Sequence, residues 1–178
     1  MSATKLTAKA EFLAWLEDRG FPHETREHPP LHTVEEAEAH RAGWDARARE
    51  GAFCKNLFLK DKKGRLFLIV TEEHRALKLN SLSKPIGSAR LSFGNAELMW
   101  EVLGVRPGSV TPFALVNDRE HRVTAVLDAP MLEHERLNYH PLENTATTAL
   151  SRADFLRFLR ETGHEPLILD LEAAAAGA

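Results

Sequence analysis

The chain has little of three features that would place it in a broad class: cysteine, long apolar runs and net charge. Cys54 is the only cysteine, so an intrachain disulfide is impossible and a cysteine-rich zinc site is excluded. No run of about 18 apolar residues exists to cross a membrane, and the first residues lack the apolar core of a signal peptide. We therefore expect a cytoplasmic protein with no membrane partner. The formal net charge of -3 neither indicates nor forbids nucleic-acid binding, because a basic groove can lie on an acidic protein.

Signatures of the common hydrolase and nucleotide-binding classes are also missing. No His-Glu-x-x-His sequence occurs, and none of the histidine pairs has a recognised metal-ligand spacing. Ser109 lies in no Gly-x-Ser-x-Gly elbow, and there is no P-loop or dinucleotide fingerprint. Cys54 precedes an apolar strand, a setting more typical of a small buried hydrophobe than of a nucleophile. Covalent and metal-dependent hydrolysis therefore lose support.

The length and composition fit one folded domain. The 178 residues are 43% hydrophobic, which is enough for a real core. We find no internal repeat and no linker rich in proline, glycine or serine, so we predict a single domain over residues 1–171. Residues 172–178 are rich in alanine, and we expect them to form a frayed tail.

Capping residues, apolar stripes and turn signals predict helices that alternate irregularly with hairpins. The predicted helices lie between Thr7 and Gly20, from Val34 to about Arg41, from Ala96 to Leu103, and between Ser151 and Gly163. The predicted strands are 56–60 paired with 65–70, 113–117 paired with 122–127, and a closing strand 166–170, with 42–53 as a loop. This arrangement indicates an α+β fold with a largely antiparallel or mixed sheet.

The first segment with chemical interest is Cys54-Lys55-Asn56, at the start of the first predicted hairpin. A lysine before a strand is ordinarily a solvated edge charge. Beside Asn56, however, Lys55 offers a point charge and an amide that could hold a phosphate or a ribose hydroxyl.

Two later segments complete the set. The stretch from Gly108 to Pro112 is a turn by default, but Gly108 would also let the backbone approach a ligand and present N–H groups to an oxygen. The stretch from His140 to Thr148 combines an imidazole with several small hydrogen-bonding side chains. His140 could bind a substrate or help to place water.

In this order, the three segments resemble the YbaK/ProX family of freestanding aminoacyl-tRNA editing domains. The likeness is greatest to the bacterial branch that deacylates tRNA(Pro) mischarged with alanine. It runs from about Leu13 to Asp170 and includes the stretch from Glu27 to Glu36. The resemblance implies a curved mixed sheet flanked by helices, with the acceptor end of tRNA entering a small pocket. It implies no cofactor and no metal.

The resemblance also implies roles for individual residues. Lys55 would be the essential active-site lysine, the backbone near Gly108 would face the developing oxyanion, and His140 would close the pocket opposite the lysine. These three are the predicted catalytic residues. The predicted substrate-binding residues are Asn56, Ser109, Pro112, Asn144 and Thr147, with Leu31, Phe53 and Tyr139 as pocket walls because they lie near the motifs.

The implied reaction is hydrolysis of the ester between an amino acid and the terminal adenosine of tRNA(Pro). Such an ester is already activated, so positioning and oxyanion stabilisation can suffice without a nucleophilic side chain. A synthetase pocket made for proline cannot strongly reject alanine, and a second, smaller pocket would remove the error.

Trp44 and Phe53 are bulkier than usual for their loop, and they either shrink the pocket or pack outward. This departure leaves the acyl group open, and the resemblance favours alanine over cysteine or serine. The expected partners are tRNA(Pro) and, as a second candidate, prolyl-tRNA synthetase. The alternatives are a Cys-tRNA(Pro) deacylase with the same mechanism and a non-catalytic adaptor that binds tRNA or the synthetase. The intact trio of Lys55, Gly108 and His140 argues against the adaptor.

Overall fold

The computed structural model describes residues 4–176, and its central feature is one eight-stranded sheet. The strands are β1 (Glu24–Glu27), β2 (Ala52–Asp61), β3 (Leu66–Glu72), β4 (Leu91–Phe93), β5 (Val123–Asp128), β6 (Arg136–Tyr139), β7 (Ala146–Ser151) and β8 (Leu167–Leu169). The helices are α1 (Lys9–Asp18), α2 (Val34–Arg41), α3 (Leu79–Ile86), α4 (Ala96–Leu103), α5 (Arg152–Glu161) and α6 (Leu171–Ala176). Short 3₁₀ helices cover Arg47–Arg49, Pro112–Asn117 and Ala129–Glu133.

The strand order is β1-β7-β6-β2-β3-β5-β8, and β4 pairs with the far end of β2. Four of these pairings are antiparallel: β1 with β7, β7 with β6, and β2 with both β3 and β4. The other three are parallel: β2 with β6, β3 with β5, and β5 with β8. The sheet is therefore mixed with an antiparallel majority, and the expected fold class is confirmed.

Helices cover both faces of the sheet. Successive strand residues point to opposite faces, so neighbouring residues of β2 belong to two different cores. Phe58 belongs to the larger core, together with Phe12 of α1 and Phe158 of α5. The next residue, Leu59, belongs to a smaller core that α3 and α6 cover. No helix among residues 4–176 is long and apolar enough to cross a membrane.

The predicted helices are present, and side-chain caps begin three of them. The hydroxyl of Thr33 accepts a hydrogen bond from the Glu36 N–H at 3.0 Å, and Ser151 does the same for Asp154 at 3.0 Å. Asn95, which was not predicted as a cap, begins α4 in the same way. At α1 the cap is Ala8 and not Thr7, and the Glu11 carboxylate accepts from the Ala8 N–H instead.

The second predicted hairpin is wrong. Residues Pro112–Asn117 form a 3₁₀ helix and not the predicted first strand. The predicted second strand is present as β5, but it pairs in parallel with β3. Pro112 is the physical reason, because it lacks an N–H for a strand ladder and its fixed φ suits the first position of a helix. The Thr111 hydroxyl caps this turn by accepting from the Phe113 N–H.

Two further segments differ from expectation. The predicted loop 42–53 contains the 3₁₀ turn at Arg47–Arg49 and the first residues of β2. The residues expected to fray form α6 as far as Ala176, because Leu171 is buried and Glu172 forms an ion pair with Arg75. Residues 177–178 of that predicted tail lie outside the described residues.

Candidate active site

A cavity of about 340 Å³ lies where β2 and β6 diverge. The two strands pair only at Ala52 with Leu137 and at Phe53 with Asn138. On the same edge of β2, the ladder with β4 begins only at Leu59. Between these points the edge of β2 has no strand partner among residues 4–176, and the predicted segment Cys54-Lys55-Asn56 lines the cavity there.

Lys55 lies inside β2, opposite Thr71 of β3, and does not precede the strand as predicted. Its side chain is half-buried and lines the cavity. The ammonium group donates a hydrogen bond to the backbone carbonyl of Arg75. An ammonium has three N–H donors, so this bond leaves donors for a ligand in the cavity.

Asn56 contributes a hydrogen-bond acceptor with no partner. Its Nδ2 donates to the Val110 carbonyl at 3.1 Å, and this contact fixes the orientation of the amide because a carbonyl can only accept. The Oδ1 atom is buried and has no hydrogen-bond partner among residues 4–176. A buried acceptor left unpaired is unfavourable, so this oxygen is suited to a ligand that donates a hydrogen bond.

Gly108 lines the cavity at a turn that only glycine adopts easily. Its φ is +89°, and no atom lies within 4 Å of the position that a Cβ would occupy. The Ser109 N–H donates to the Arg106 carbonyl at 3.0 Å, so it is already used by the turn. The Gly108 N–H is therefore the better candidate for facing an oxyanion.

Two predicted binding residues of this segment do not reach the cavity. Ser109 lines a separate groove beside Trp100, on the other side of the turn. Pro112 is buried as the first residue of its 3₁₀ helix. The Gly108–Pro112 segment thus contributes Gly108 and Val110 to the cavity, whereas Ser109 and Pro112, predicted to bind substrate, are not among the residues that line it.

His140 follows the last residue of β6 and lines the cavity. Its Nδ1 donates to the Ala146 carbonyl at 2.9 Å, which leaves the lone pair on Nε2 when the ring is neutral. Burial lowers the pKa of His140, the bond to Ala146 opposes this in part, and the nearby His28 lowers the pKa further. The ring is therefore neutral near pH 7, with an acceptor nitrogen available.

His28 was not predicted as a site residue, yet it lines the cavity. Its Nδ1 donates to the Pro29 carbonyl at 2.8 Å, and its Nε2 accepts from the Thr147 hydroxyl at 2.9 Å. The rings of His28 and His140 lie 6.0 Å apart. Burial is the main cause that lowers the pKa of His28. The stretch Glu27 to Pro30, noted only as part of the resemblance, was the signal for this residue.

The predicted wall residues Leu31, Phe53 and Tyr139 all line the cavity. Tyr139 is 2% exposed, and its hydroxyl donates to the sulfur of Met131 at 3.3 Å, so it offers the cavity its ring and not its polar end. Asn144 does not line the cavity. It instead holds Leu31 in place, because its Nδ2 donates to the Leu31 carbonyl at 2.6 Å.

Helix α2, which was not predicted as part of the site, lines the cavity with Val34, Ala37 and Arg41. Arg41 of α2 lies over the ring of Phe53, 4.1 Å from its centroid, and forms an ion pair with Glu73. Trp44 is 9% exposed and packs inward against His28, with ring centroids 6.1 Å apart. The bulky side chain of Trp44 therefore reduces the volume of the cavity and does not pack outward.

Neither a thiol nor a metal is well placed for chemistry here. Burial raises the pKa of the Cys54 thiol, which opposes formation of the nucleophilic thiolate. Glu38, Glu73 and His74 bring potential metal ligands within 4.8 Å of one another. Glu73 is already paired with Arg41, whose positive charge opposes a metal cation.

Comparison with known proteins shows the same relationship over nearly the whole chain. The family model described as an aminoacyl-tRNA editing domain matches residues 28–158, which include every predicted site residue. The prolyl-tRNA synthetase associated domain-containing protein 1 of Danio rerio is 44% identical over 148 residues, covering 82% of this chain and 78% of the relative. The prolyl-tRNA editing protein ProX of Acetoanaerobium sticklandii is 31% identical over 160 residues, covering 89% and 94%.

A solved structure described as a candidate trans-editing enzyme for prolyl-tRNA synthetase has a TM-score of 0.66 at 23% identity. The alignment covers 92% of this chain and 98% of that chain. The fold is therefore shared over the complete domain.

Proposed function

The chain belongs to the aminoacyl-tRNA editing domain family, and on this premise we propose that it hydrolyses the ester of alanine mischarged onto tRNA(Pro). One observation carries the proposal. Lys55, the unpaired oxygen of Asn56 and the neutral ring of His140 line one cavity of about 340 Å³. The choice of tRNA(Pro) rests on the names of the two relatives given above. One name refers to prolyl-tRNA synthetase and the other to prolyl-tRNA editing.

Binding would use the two polar groups of β2. The free N–H donors of Lys55 would hold a phosphate or ribose oxygen at the acceptor end of the tRNA. The Oδ1 atom of Asn56 would accept from the ammonium group of the aminoacyl ester, because a charged donor gives the strongest bond to a buried acceptor.

Hydrolysis would then depend on water and not on a protein nucleophile. The Nε2 atom of His140 would accept a hydrogen bond from the attacking water, aided by the ribose hydroxyl of the substrate. The Gly108 N–H would donate to the oxyanion as negative charge develops on the former carbonyl oxygen. No step requires a cofactor or metal.

Selectivity would come from the size of the acyl part of the cavity. Leu31, Phe53 and Tyr139 form apolar walls, and Trp44 narrows the space from the side of α2. Alanine would fit beside these walls, whereas the larger proline of the correct product would be excluded.

The direct test compares deacylation of Ala-tRNA(Pro), Cys-tRNA(Pro) and Pro-tRNA(Pro) by wild type and by Lys55→Ala. We expect rapid release of alanine, no release of proline, and a loss of about 100-fold or more in the variant, the size of effect seen when an active-site donor is removed. Full activity of Lys55→Ala would refute the role of the lysine. Cleavage of the cysteine ester instead of the alanine ester would keep the mechanism and change the substrate. Binding of tRNA without any cleavage would support the adaptor.

A further inference from the structure

Arg75, in the segment between β3 and α3, lies at the centre of a group of three carboxylates. Its Nε and Nη2 donate to the two oxygens of Asp128 at 2.8 Å and 3.3 Å. The guanidinium also donates to Asp170 at 2.8 Å and to Glu172 at 2.6 Å. Arg75 thereby joins the end of β5 to the segment that begins α6.

Asp128 is the buried member of this group, with 0% of its surface exposed. Besides Arg75, it accepts from the Thr71 hydroxyl at 2.6 Å and from the Leu171 N–H at 3.0 Å. A buried carboxylate is stable only when its hydrogen-bonding capacity is used, so these four donors fix its position. Asp128 therefore holds β3, β5, α6 and Arg75 in one arrangement.

The same group reaches Lys55 by two routes. The backbone carbonyl of Arg75 accepts the hydrogen bond of the Lys55 ammonium. Thr71, whose hydroxyl binds Asp128, is the β3 residue opposite Lys55 in the sheet. Both the partner of the ammonium and the strand beside it are thus held by one buried carboxylate.

We propose that Arg75 and Asp128 are positioning residues that hold the Lys55 ammonium at the cavity. The catalytic consequence rests on the proposed function, in which Lys55 binds the substrate. The positioning itself does not, because it concerns the order of the lysine side chain in the free protein. A misplacement of about 1 Å in such a group can lower a rate by about 100-fold.

The most informative variant is Arg75→Lys, since replacement by alanine would leave Asp128 buried without its cation and could unfold the protein. A lysine keeps the positive charge but cannot bind three carboxylates with a planar fork. The matched control is Arg122→Lys, because Arg122 also donates from a guanidinium to a carboxylate, Glu101, at 2.8 Å, away from the cavity.

The first readout is independent of activity: the ¹⁵N NMR signal of the Lys55 ammonium, assigned by its loss in Lys55→Ala. A held ammonium exchanges its hydrogens slowly enough to be observed. We expect the signal in wild type and in Arg122→Lys and its loss in Arg75→Lys. An absent signal in wild type, or an unchanged signal in Arg75→Lys, would overturn the proposal. A signal with this expected pattern in a protein that deacylates nothing would refute the proposed function alone.

The second readout is kinetic. For Ala-tRNA(Pro), we expect Arg75→Lys to lower kcat/KM by about 10- to 100-fold, because Lys55 would no longer be held where it binds the substrate. In a Lys55→Ala background the same change should have no further effect, because both substitutions remove one interaction. An equal loss in both backgrounds would assign Arg75 a general structural role and overturn the proposal.

Discussion

At the scale of single residues, the site depends on side chains whose polar atoms are only partly satisfied by the protein. Within residues 4–176, Asn56 has one amide atom bound to Val110 and one without a partner, and His140 has one nitrogen bound to Ala146 and one with a free lone pair. In each case a backbone carbonyl accepts from the donor atom and thereby fixes the orientation of the side chain. These acceptors suit the proposed function, in which the substrate carries an ammonium group and a hydroxyl and a water molecule attacks the ester.

The lowered pKa of His140 predicts the pH dependence of deacylation. In the proposed mechanism the active form of His140 is neutral, and burial keeps its folded pKa below the ordinary value of 6.5. The rate above the spontaneous hydrolysis should therefore fall towards acidic pH with a midpoint below 6.5, as Nε2 becomes protonated.

The control for this prediction is His140→Gln, which keeps a hydrogen-bonding side chain that does not titrate. Its residual rate should lack the acidic limb assigned to His140. A limb that persists unchanged in this variant would contradict the assignment and would point to His28, the other histidine in the cavity whose pKa burial lowers.

At the scale of elements, the turn at Gly108 is the clearest example of local backbone geometry serving the cavity. The left-handed φ of +89° is disfavoured for any residue with a Cβ, although the surrounding space is open. Gly64, in the turn between β2 and β3, has a similar φ of +83° and equally open space. It lies outside the cavity and so provides a matched comparison.

We expect Gly108→Ala and Gly64→Ala to lower the free energy of unfolding by the same amount, about 1–2 kcal/mol, because the backbone cost is the same. Chemical denaturation measures this. Only Gly108→Ala should also lower the rate of deacylation, since the N–H of residue 108 would move. If Gly64→Ala impaired activity to the same extent, the loss would reflect general destabilisation instead.

At the scale of the whole molecule, net charge bears on the proposed binding of tRNA. The chain carries 23 lysines and arginines against 26 acidic residues, so no overall field attracts nucleic acid. In the proposed function, binding of tRNA would therefore come from local contacts between basic side chains and phosphates, and such contacts weaken as salt is added.

The expected result is a KM for Ala-tRNA(Pro) that rises steeply between low and physiological salt, with kcat nearly unchanged. Steady-state kinetics at several salt concentrations measure both. A short aminoacylated oligonucleotide of the acceptor end offers fewer phosphates and should show a smaller increase. A KM for the full tRNA that does not respond to salt would contradict this prediction.

Much of the local structure could be predicted from the sequence. Helices such as Val34–Arg41 and Arg152–Glu161 follow from capping residues, and the β2–β3 hairpin follows from its charged turn, because both signals act over a few neighbouring residues. The order of the three motifs also predicted Lys55, Asn56, Gly108 and His140 as site residues, and all four line the cavity.

The remaining features depended on contacts between distant parts of the chain. The cavity lies where the short parallel pairing of β2 with β6 ends. Such a pairing cannot be predicted from a hairpin turn, because parallel strands are joined by long crossover connections. The direction in which Ser109 points was likewise decided by the fold, as was the burial that lowers the pKa of His140. The sequence by itself determined which chemical groups are available, through residue type and local capping. Only the tertiary structure decided which of them meet, because burial, pKa and unpaired hydrogen bonds depend on what packs around each group.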